Sequence, residues 1–447
     1  DKGDARFDQT ISQKLTLQAR YSHRLQNTLV PAAIPGLAGG NSNGNIRVMS
    51  WQVNTGGTYT INPRSVVDFR FAMSHTDAGK TPLFVGTQSL ASKYGFPNYP
   101  TDPRYTGGLY GQSINGYTAL GTQGSNPQFQ NPGVVNPKVN YSLLLGKHSL
   151  KAGWEMQSLQ IDIDDFNPKS GGDTYAGGFS QAPGTPATND RFVADFLFGA
   201  RSNYQLNNAA IVKYLQKMQF FYLQDDWKPT RNLTLNLGVR YEYSTPQYVD
   251  NNKLANFDPV SNTLVQAKAG SSYDRGLVNP DKNNFAPRFG LAWALGRQQK
   301  TVVRVNTGIF YDAPQTNVYY NSLVNSGQPQ FFTMSTAPTT AFAPAFPNIL
   351  TAVPSGFALP TQDVTTVSPN FRTLYSENAN VQITHAVTSS LGLTVGYLFT
   401  KGTHIPVVSN INLLTTGTFL GDGRPIYGAG RVDTRFNNIL MASSVGN

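Results

Sequence analysis

The feature that most constrains this chain is a module that recurs along it: a short turn, then a long run in which every second residue is apolar. A two-residue period is the signature of a strand with one apolar and one polar face. After Ser12-Gln13-Lys14, Leu15, Leu17, Ala19 and Tyr21 alternate with Thr16, Gln18, Arg20 and Ser22. After Asn62-Pro63-Arg64-Ser65, Val67, Phe69, Phe71 and Met73 oppose Asp68, Arg70, Ala72 and Ser74. After Gly146-Lys147-His148, Leu150, Ala152, Trp154 and Met156 oppose Lys151, Gly153, Glu155 and Gln157. The cleanest run follows Lys228 to Asn232, where Leu233, Leu235, Leu237, Val239, Tyr241 and Tyr243 oppose Thr234, Asn236, Gly238, Arg240 and Glu242. Two more follow Gly296 to Lys300 and Val387 to Ser390, with Val303, Val305, Ile309 and Tyr311 in one and Leu391, Leu393, Val395, Tyr397 and Phe399 in the other.

Strands entering these turns are legible over Ile46 to Ile61, Val139 to Leu145, Ile211 to Trp227, Asn284 to Ala294 and Asn378 to His385. Gln219 to Trp227 reads equally well in either register. Between modules the connections are long: Gln26 to Asn45, Thr76 to Lys138, Asp162 to Ala210, Pro246 to Asn283, Ala313 to Ser376 and Lys401 to Arg431. Strict alternation of short turns with long loops is what an outer-membrane barrel shows, with short periplasmic turns and longer extracellular loops. The runs reach the 9–11 or so residues that a tilted spanning strand needs, beyond the roughly 5–6 of soluble sheets. The expected fold is therefore all-β, an antiparallel transmembrane β-barrel with roughly a dozen or more strands visible and long extracellular loops. Lipid cannot hydrogen-bond a backbone, so such a sheet must close. Aromatics near strand ends, among them Tyr21, Trp51, Trp154, Trp227, Tyr241, Tyr243, Trp293, Tyr311 and Tyr397, suit interfacial girdles, although aromatics are also good strand formers anywhere.

Composition agrees. Charged residues are only 13% of the 447 and aromatics 12%, unlike a charged soluble domain. No stretch approaches the roughly 20 apolar residues of a spanning helix, and the mean hydropathy is -0.32. Cysteine is absent and there are five histidines, so disulfides, thiolate nucleophiles and histidine-rich metal sites are not expected. No P-loop, H-E-x-x-H or G-x-S-x-G is present, so no enzyme, cofactor or metal is expected. The net charge of +10 is spread without a dense basic run, which argues against nucleic acid. The sequon at Asn232-Leu233-Thr234 lies at a tight turn and carries no weight.

Phe221-Tyr222-Leu223-Gln224-Asp225-Asp226-Trp227-Lys228-Pro229, followed by Leu233 to Glu242, resembles a hairpin of TonB-dependent outer-membrane receptors, and more narrowly of the Oar-like group with a carboxypeptidase-regulatory-like domain. Asn284 to Trp293, Gly308 to Asp312 and Gly396 to His404 add to the resemblance, which covers most of the chain, but only as barrel. It implies a barrel of about 22 strands, a size that needs a plugged lumen, embedded in the bacterial outer membrane. It also implies a plug upstream, energy passed from the TonB complex, and import of a scarce nutrient. No plug is recognisable here, so residues 1–447 are expected to be a partial barrel with the plug and C-terminal strands missing. The alternatives are an outer-membrane surface or adhesion protein and a secreted, soluble β-rich binding protein.

Candidate ligand contacts come from aromatics set among small amides in two long loops: Tyr105 and Tyr110 in one, Tyr319, Tyr320, Phe331 and Phe332 in the other. Such surfaces suit sugars, peptides or aromatic chelates, while long loops equally need small cores of their own. Arg70, Arg240, Glu242, Arg288 and Arg304 are expected to face the lumen, where they could line a substrate path or pair with one another. Asp162, Asp164 and Asp165 form an acidic cluster that lacks the glycine-turn spacing of a calcium loop.

Overall fold

In a computed structural model of the protein, the described residues are 1–36, 38–39, 44–86, 93–99, 108–169, 171–207, 211–313, 333–336, 344–352, 354–357 and 361–447. The dominant element is an antiparallel meander. Its strands, each paired with the next, are Lys2–Ser12, Leu15–Val30, Gly44–Asn62, Ser65–Thr81, Gln128–Leu145, His148–Asp164, Val212–Thr230, Leu233–Ser244, Phe285–Leu295, Thr301–Tyr311, Tyr375–Ala386 and Gly392–Thr403. Lys2–Ser12 and Gly392–Thr403 are the two edges, so the described sheet is open.

Each short turn has a local cause. Ser12 Oγ accepts from the backbone N–H of Lys14 and Leu15, both at 3.2 Å. Asn62 Oδ1 accepts from Arg64 N at 2.9 Å, and Thr388 Oγ1 from Leu391 N at 3.0 Å. These side-chain oxygens satisfy amides that the reversing chain leaves unpaired. Gly146 has a φ of 58°, a conformation in which a side chain is strained.

The register places the two faces as the alternation requires. Asp68, Asn140, Gly153 and Tyr222 lie in one cross-strand row, and Arg240 opposite Tyr222 continues it. Gly238, Arg288, Gly308 and Asn378 form another, and Asn236, Gly290, Asn306 and Asn380 a third. The opposite face carries Phe69, Phe71, Met73, Leu223, Leu237, Val239, Phe289, Ile383, Val395 and Tyr397, all of them exposed. An apolar surface of that extent is met in a soluble monomer only where it docks on something. Here it has the length of a bilayer. Trp293 and Phe285 sit eight positions apart on one strand at the levels of Leu233 and Tyr241. That is about 27 Å along the strand and about 20 Å along the membrane normal at a tilt near 40°. Tyr59 and Trp51 repeat the interval, and Trp154, opposite Phe221, continues the row of Tyr241 and Phe285.

The ambiguous segment Gln219 to Trp227 takes the register that puts Phe221 and Leu223 on the apolar face and Tyr222 and Gln224 on the polar one. Several strands run further than their alternation suggests. Leu15–Val30 and Ser65–Thr81 extend beyond the expected loop starts at Gln26 and Thr76, and the strand expected from Val139 begins at Gln128. Asp162 to Asp164 likewise belongs to His148–Asp164. Past the apolar band both faces are polar, so the two-residue period vanishes although the hydrogen-bond ladder continues, as between Arg47 and Gly79. Pro132 and Pro137 further obscured the Gln128–Leu145 strand, in which they pair opposite Ile161 and Phe71.

Most of the buried core lies in the long connections and in the strand ends that they cover, among them Ile163, Val212 and Tyr214. Gly111–Ile114, Gly172–Tyr175, Asn203–Asn207 and Thr333–Thr336 form a four-stranded sheet drawn from three of these connections. A second sheet joins Gln362–Val367, Phe436–Gly446 and Ile405–Asn410, so Lys401 to Arg431 is not one irregular loop. Helix α1, Asn189–Leu197, buries Asp195 completely, and its carboxylate accepts from the backbone N–H of Phe179 and Ser180. Phe166, Tyr214, Val249, Leu254 and Phe371 make one apolar cluster of this cap, and Tyr99, Tyr110, Tyr204 and Leu206 another.

Candidate functional site

The polar face of the meander carries the residues expected to look into a lumen. Arg70, Arg240, Glu242, Arg288 and Arg304 occupy positions of one face. Residues i and i+2 of a strand share a face, and the charges use this. Arg70 lies 2.8 Å from Asp68, Arg240 lies 2.8 Å from Glu242, and Arg6 lies 2.7 Å from Asp8. The same-strand pairs leave little free charge where they occur.

Arg288 and Arg304 differ. Neither has a carboxylate within ion-pair distance among the described residues. Arg288 instead holds its guanidinium 4.5 Å from the centre of the Phe310 ring, an electrostatic attraction that leaves its N–H groups available. Around it the polar face forms a cavity of about 590 Å³, bordered by Asn236, Arg288, Asn306, Gly308, Asn378 and Asn380. Towards the cap a second cavity of about 420 Å³ shares Arg240 and Arg288 and adds Glu242, Asn284 and Tyr311. Arg70 and Arg304 line neither. The amides matter as much as the charges, because each presents both donors and an acceptor. Alternation alone placed Asn236 on the polar face without singling it out. Only the register shows that Asn236, Asn306 and Asn380 stand at one level, separated by the side-chain-free Gly290.

Of the aromatic loop candidates, Tyr105, Tyr319, Tyr320, Phe331 and Phe332 lie outside the described residues. Tyr110 is described and is 1% exposed. Its hydroxyl donates to Asp173 Oδ2 at 2.6 Å and accepts from Arg201 at 2.8 Å. Arg201 Nε is 2.8 Å from Asp173 Oδ1, and another guanidinium nitrogen donates to Pro344 O at 2.7 Å. In this arrangement Tyr110 holds connections together and has no surface to offer a ligand. Burial pushes the Asp173 carboxyl up, against the pull of Arg201 and the tyrosine hydroxyls. Burial also raises Tyr110 and Tyr175, helped by the Asp173 charge, and pushes Tyr204 up to about 12. The acidic cluster is partly neutralised: Asp164 pairs with the part-buried Lys169, and Asp165 accepts from Gln130 at 3.0 Å.

A wide antiparallel sheet with one lipid-length apolar face, one polar face and a folded cap at the long-connection end defines the class as an outer-membrane β-barrel protein. The chain belongs to the outer membrane beta-barrel domain family, whose model matches residues 1–447, and its place is the outer membrane. No curated protein matches it. Among solved structures it is similar to the outer membrane transporter YddB from Escherichia coli, with a TM-score of 0.54 and 11% identity over 99% of this chain and 43% of that one. It is also similar to the ferric-catecholate import receptor Fiu from E. coli, with a TM-score of 0.45 and 13% identity over 95% of this chain and 53% of that one. The alcaligin receptor FauA from Bordetella pertussis gives 0.45 and 9%, over 96% and 47%. The chain thus spans about half the length of these proteins. At these identities the likeness to YddB speaks for the fold alone. The soluble, secreted alternative is set aside by the family.

Proposed function

We propose that residues 1–447 form part of the barrel of a TonB-dependent-type transporter of the Oar-like group, and that it imports a nutrient such as an oligosaccharide, a peptide or a chelate. On this reading further strands and a plug lie outside residues 1–447, and TonB acts through that plug. The observation that carries it is the polar face of the meander, which opens beside Arg288 into a cavity furnished with amides and an unpaired guanidinium. Amides match hydroxyls and peptide groups, and the guanidinium matches a carboxylate or a similar anion. The description of YddB as a transporter and the hairpin resemblance point the same way.

The test is uptake. Cells lacking the full-length protein are complemented with it or with Arg288→Ala, and entry of labelled oligosaccharides, peptides and ferric chelates is followed with and without a proton-motive-force uncoupler. Energy-dependent uptake of one class, reduced about tenfold by Arg288→Ala, as expected for loss of roughly 1.4 kcal/mol of binding, is the expected result. Uptake that is the same with and without the protein for every class overturns the reading. Loss of surface attachment in the same cells would then favour the adhesive alternative.

A further inference from the structure

The short-turn end of the meander carries an unbalanced charge. Lys14 lies in the first turn, Arg64 in the second, Lys147 in the third, Lys228 and Arg231 in the fourth, and Arg297 and Lys300 in the fifth; only the sixth, Val387 to Ser390, is uncharged. All seven are exposed, and no Asp or Glu stands in any of these turns. Among the described residues none of them has a carboxylate within ion-pair distance. The acids within a few positions of these turns in the chain are already taken: Asp225 by His148 at 2.6 Å, Asp226 by Lys151 at 3.2 Å and Asp68 by Arg70 at 2.8 Å. The long connections at the other end mix the signs, as in Asp164 with Lys169, Asp173 with Arg201 and Asp433 with Arg435. Most of the net charge of +10 is therefore gathered on one rim.

A second observation fixes the depth of that rim. Lys228 directly follows Trp227, and Arg64, Lys147 and Arg297 each lie within six positions of Tyr59, Tyr141 or Trp293, aromatics of the lower end of the apolar band. Amphipathic rings settle at the headgroup level, so the cations lie among or just beyond the headgroups of the leaflet that the short turns face. We propose that this rim is a docking surface for the phosphates of anionic phospholipids in the periplasmic leaflet, gathered as a partial annulus around five neighbouring turns. Spacing favours lipids over one large polyanion. The turns are successive points along the sheet edge, each with one or two cations, which suits several small headgroups at the height of the aromatics.

The experiment uses the full-length protein in non-ionic detergent, with equimolar phosphatidylglycerol and phosphatidylethanolamine as probes and bound lipids counted by native mass spectrometry. The wild type is expected to retain phosphatidylglycerol about fivefold or more over phosphatidylethanolamine, with the preference falling as salt is added. Replacing all seven cations by Gln should abolish the preference while the heat-dependent gel shift of a folded barrel persists. A milder variant, Lys228→Gln with Arg231→Gln, should lower it in part. Absence of a preference in the wild type, or its survival in the seven-fold variant, overturns the proposal. So does displacement of the lipid by inorganic phosphate beyond that by chloride at equal ionic strength, which would mark a site for free anions. Tighter binding of polyglutamate than of phosphatidylglycerol would assign the rim to an acidic macromolecule instead.

Discussion

At the scale of single residues, the polar atoms of the cap are the most consequential. Asp173 and Arg201 are 2% and 5% exposed, and removing one member of such a pair leaves the other charged in a place that water cannot reach. Arg201→Met or Asp173→Leu should therefore destabilise the cap by about 3–5 kcal/mol. Faster amide exchange and proteolysis over 108–127 and 171–207, with the meander still protected, is the expected readout; an unchanged exchange pattern would contradict it. The tyrosines set a pH limit. Tyr110, Tyr175 and Tyr204 ionise in the unfolded chain near the ordinary value of 10.0 but are held higher by burial in the folded cap. Above pH 10 the unfolded state then binds fewer protons than the folded one, so stability falls as pH rises. The stabilisation is complete below about pH 10 and is lost as pH climbs through about 12 and beyond. Exchange measured at pH 9 and pH 11, corrected for the intrinsic rate, should show the cap opening while the meander holds. A different constraint acts at Gly153. A Cβ there would run into the ring of Tyr222, whose hydroxyl donates to Asn140 at 2.9 Å, so glycine is what lets that ring lie flat across the strand.

At the scale of elements, one residue decides which solvent a side chain meets. Leu237 pairs with Phe289, midway between the levels of Leu233 and Tyr241, and should sit near the bilayer centre. Leu237→Lys is expected to cost about 2–4 kcal/mol, the range for a cation on the lipid face at that depth. Asn236→Lys, one position away on the polar face, should cost under about 1 kcal/mol, since its side chain meets water and other polar groups. Denaturant titration of the full-length protein refolded into vesicles measures both, and equal costs would mean that the assigned faces are wrong. The same dependence on surroundings explains what was legible in the sequence. Inside the lipid band, alternation was enforced at every step, so the faces of Val67 to Met73, Leu233 to Tyr243 and Leu391 to Phe399 could be read directly. Outside it, Gln26 to Val30 and Gln128 to Lys138 pair through backbone groups that leave no mark on side-chain type. The cap was least legible, because its order depends on contacts between distant connections. Asn256 donates to both Leu277 O and Val367 O, and nothing near Asn256 in the chain announces either partner. The candidate site was half legible: alternation put Arg240 and Arg288 on one face, but their meeting at one cavity depends on register.

At the scale of the whole molecule, the meander has a beginning and an end that do not meet. Among the described residues, Lys2–Ser12 and Gly392–Thr403 each present one row of backbone N–H and C=O groups without sheet partners, and in hydrocarbon each such group costs several kcal/mol. Both strands nonetheless carry lipid-facing residues, Phe7 on the first and Val395 on the second, at 62% and 65% exposure. The edges must be paired in the membrane, either to each other or to strands from outside residues 1–447. The two cases differ in distance, because each intervening strand adds about 4.8 Å. Residues 1–447 contain no cysteine, so once any cysteine elsewhere in the full-length protein is replaced, spin labels can be placed at Phe7→Cys and Val395→Cys alone. If several strands intervene, as in a barrel wide enough to need a plug, the labels should be more than about 20 Å apart. A distance near one strand spacing would mean that the twelve-strand path closes on itself. Its lumen would then be too narrow to hold a plug domain, and the reading of a plugged, TonB-driven transporter would fail.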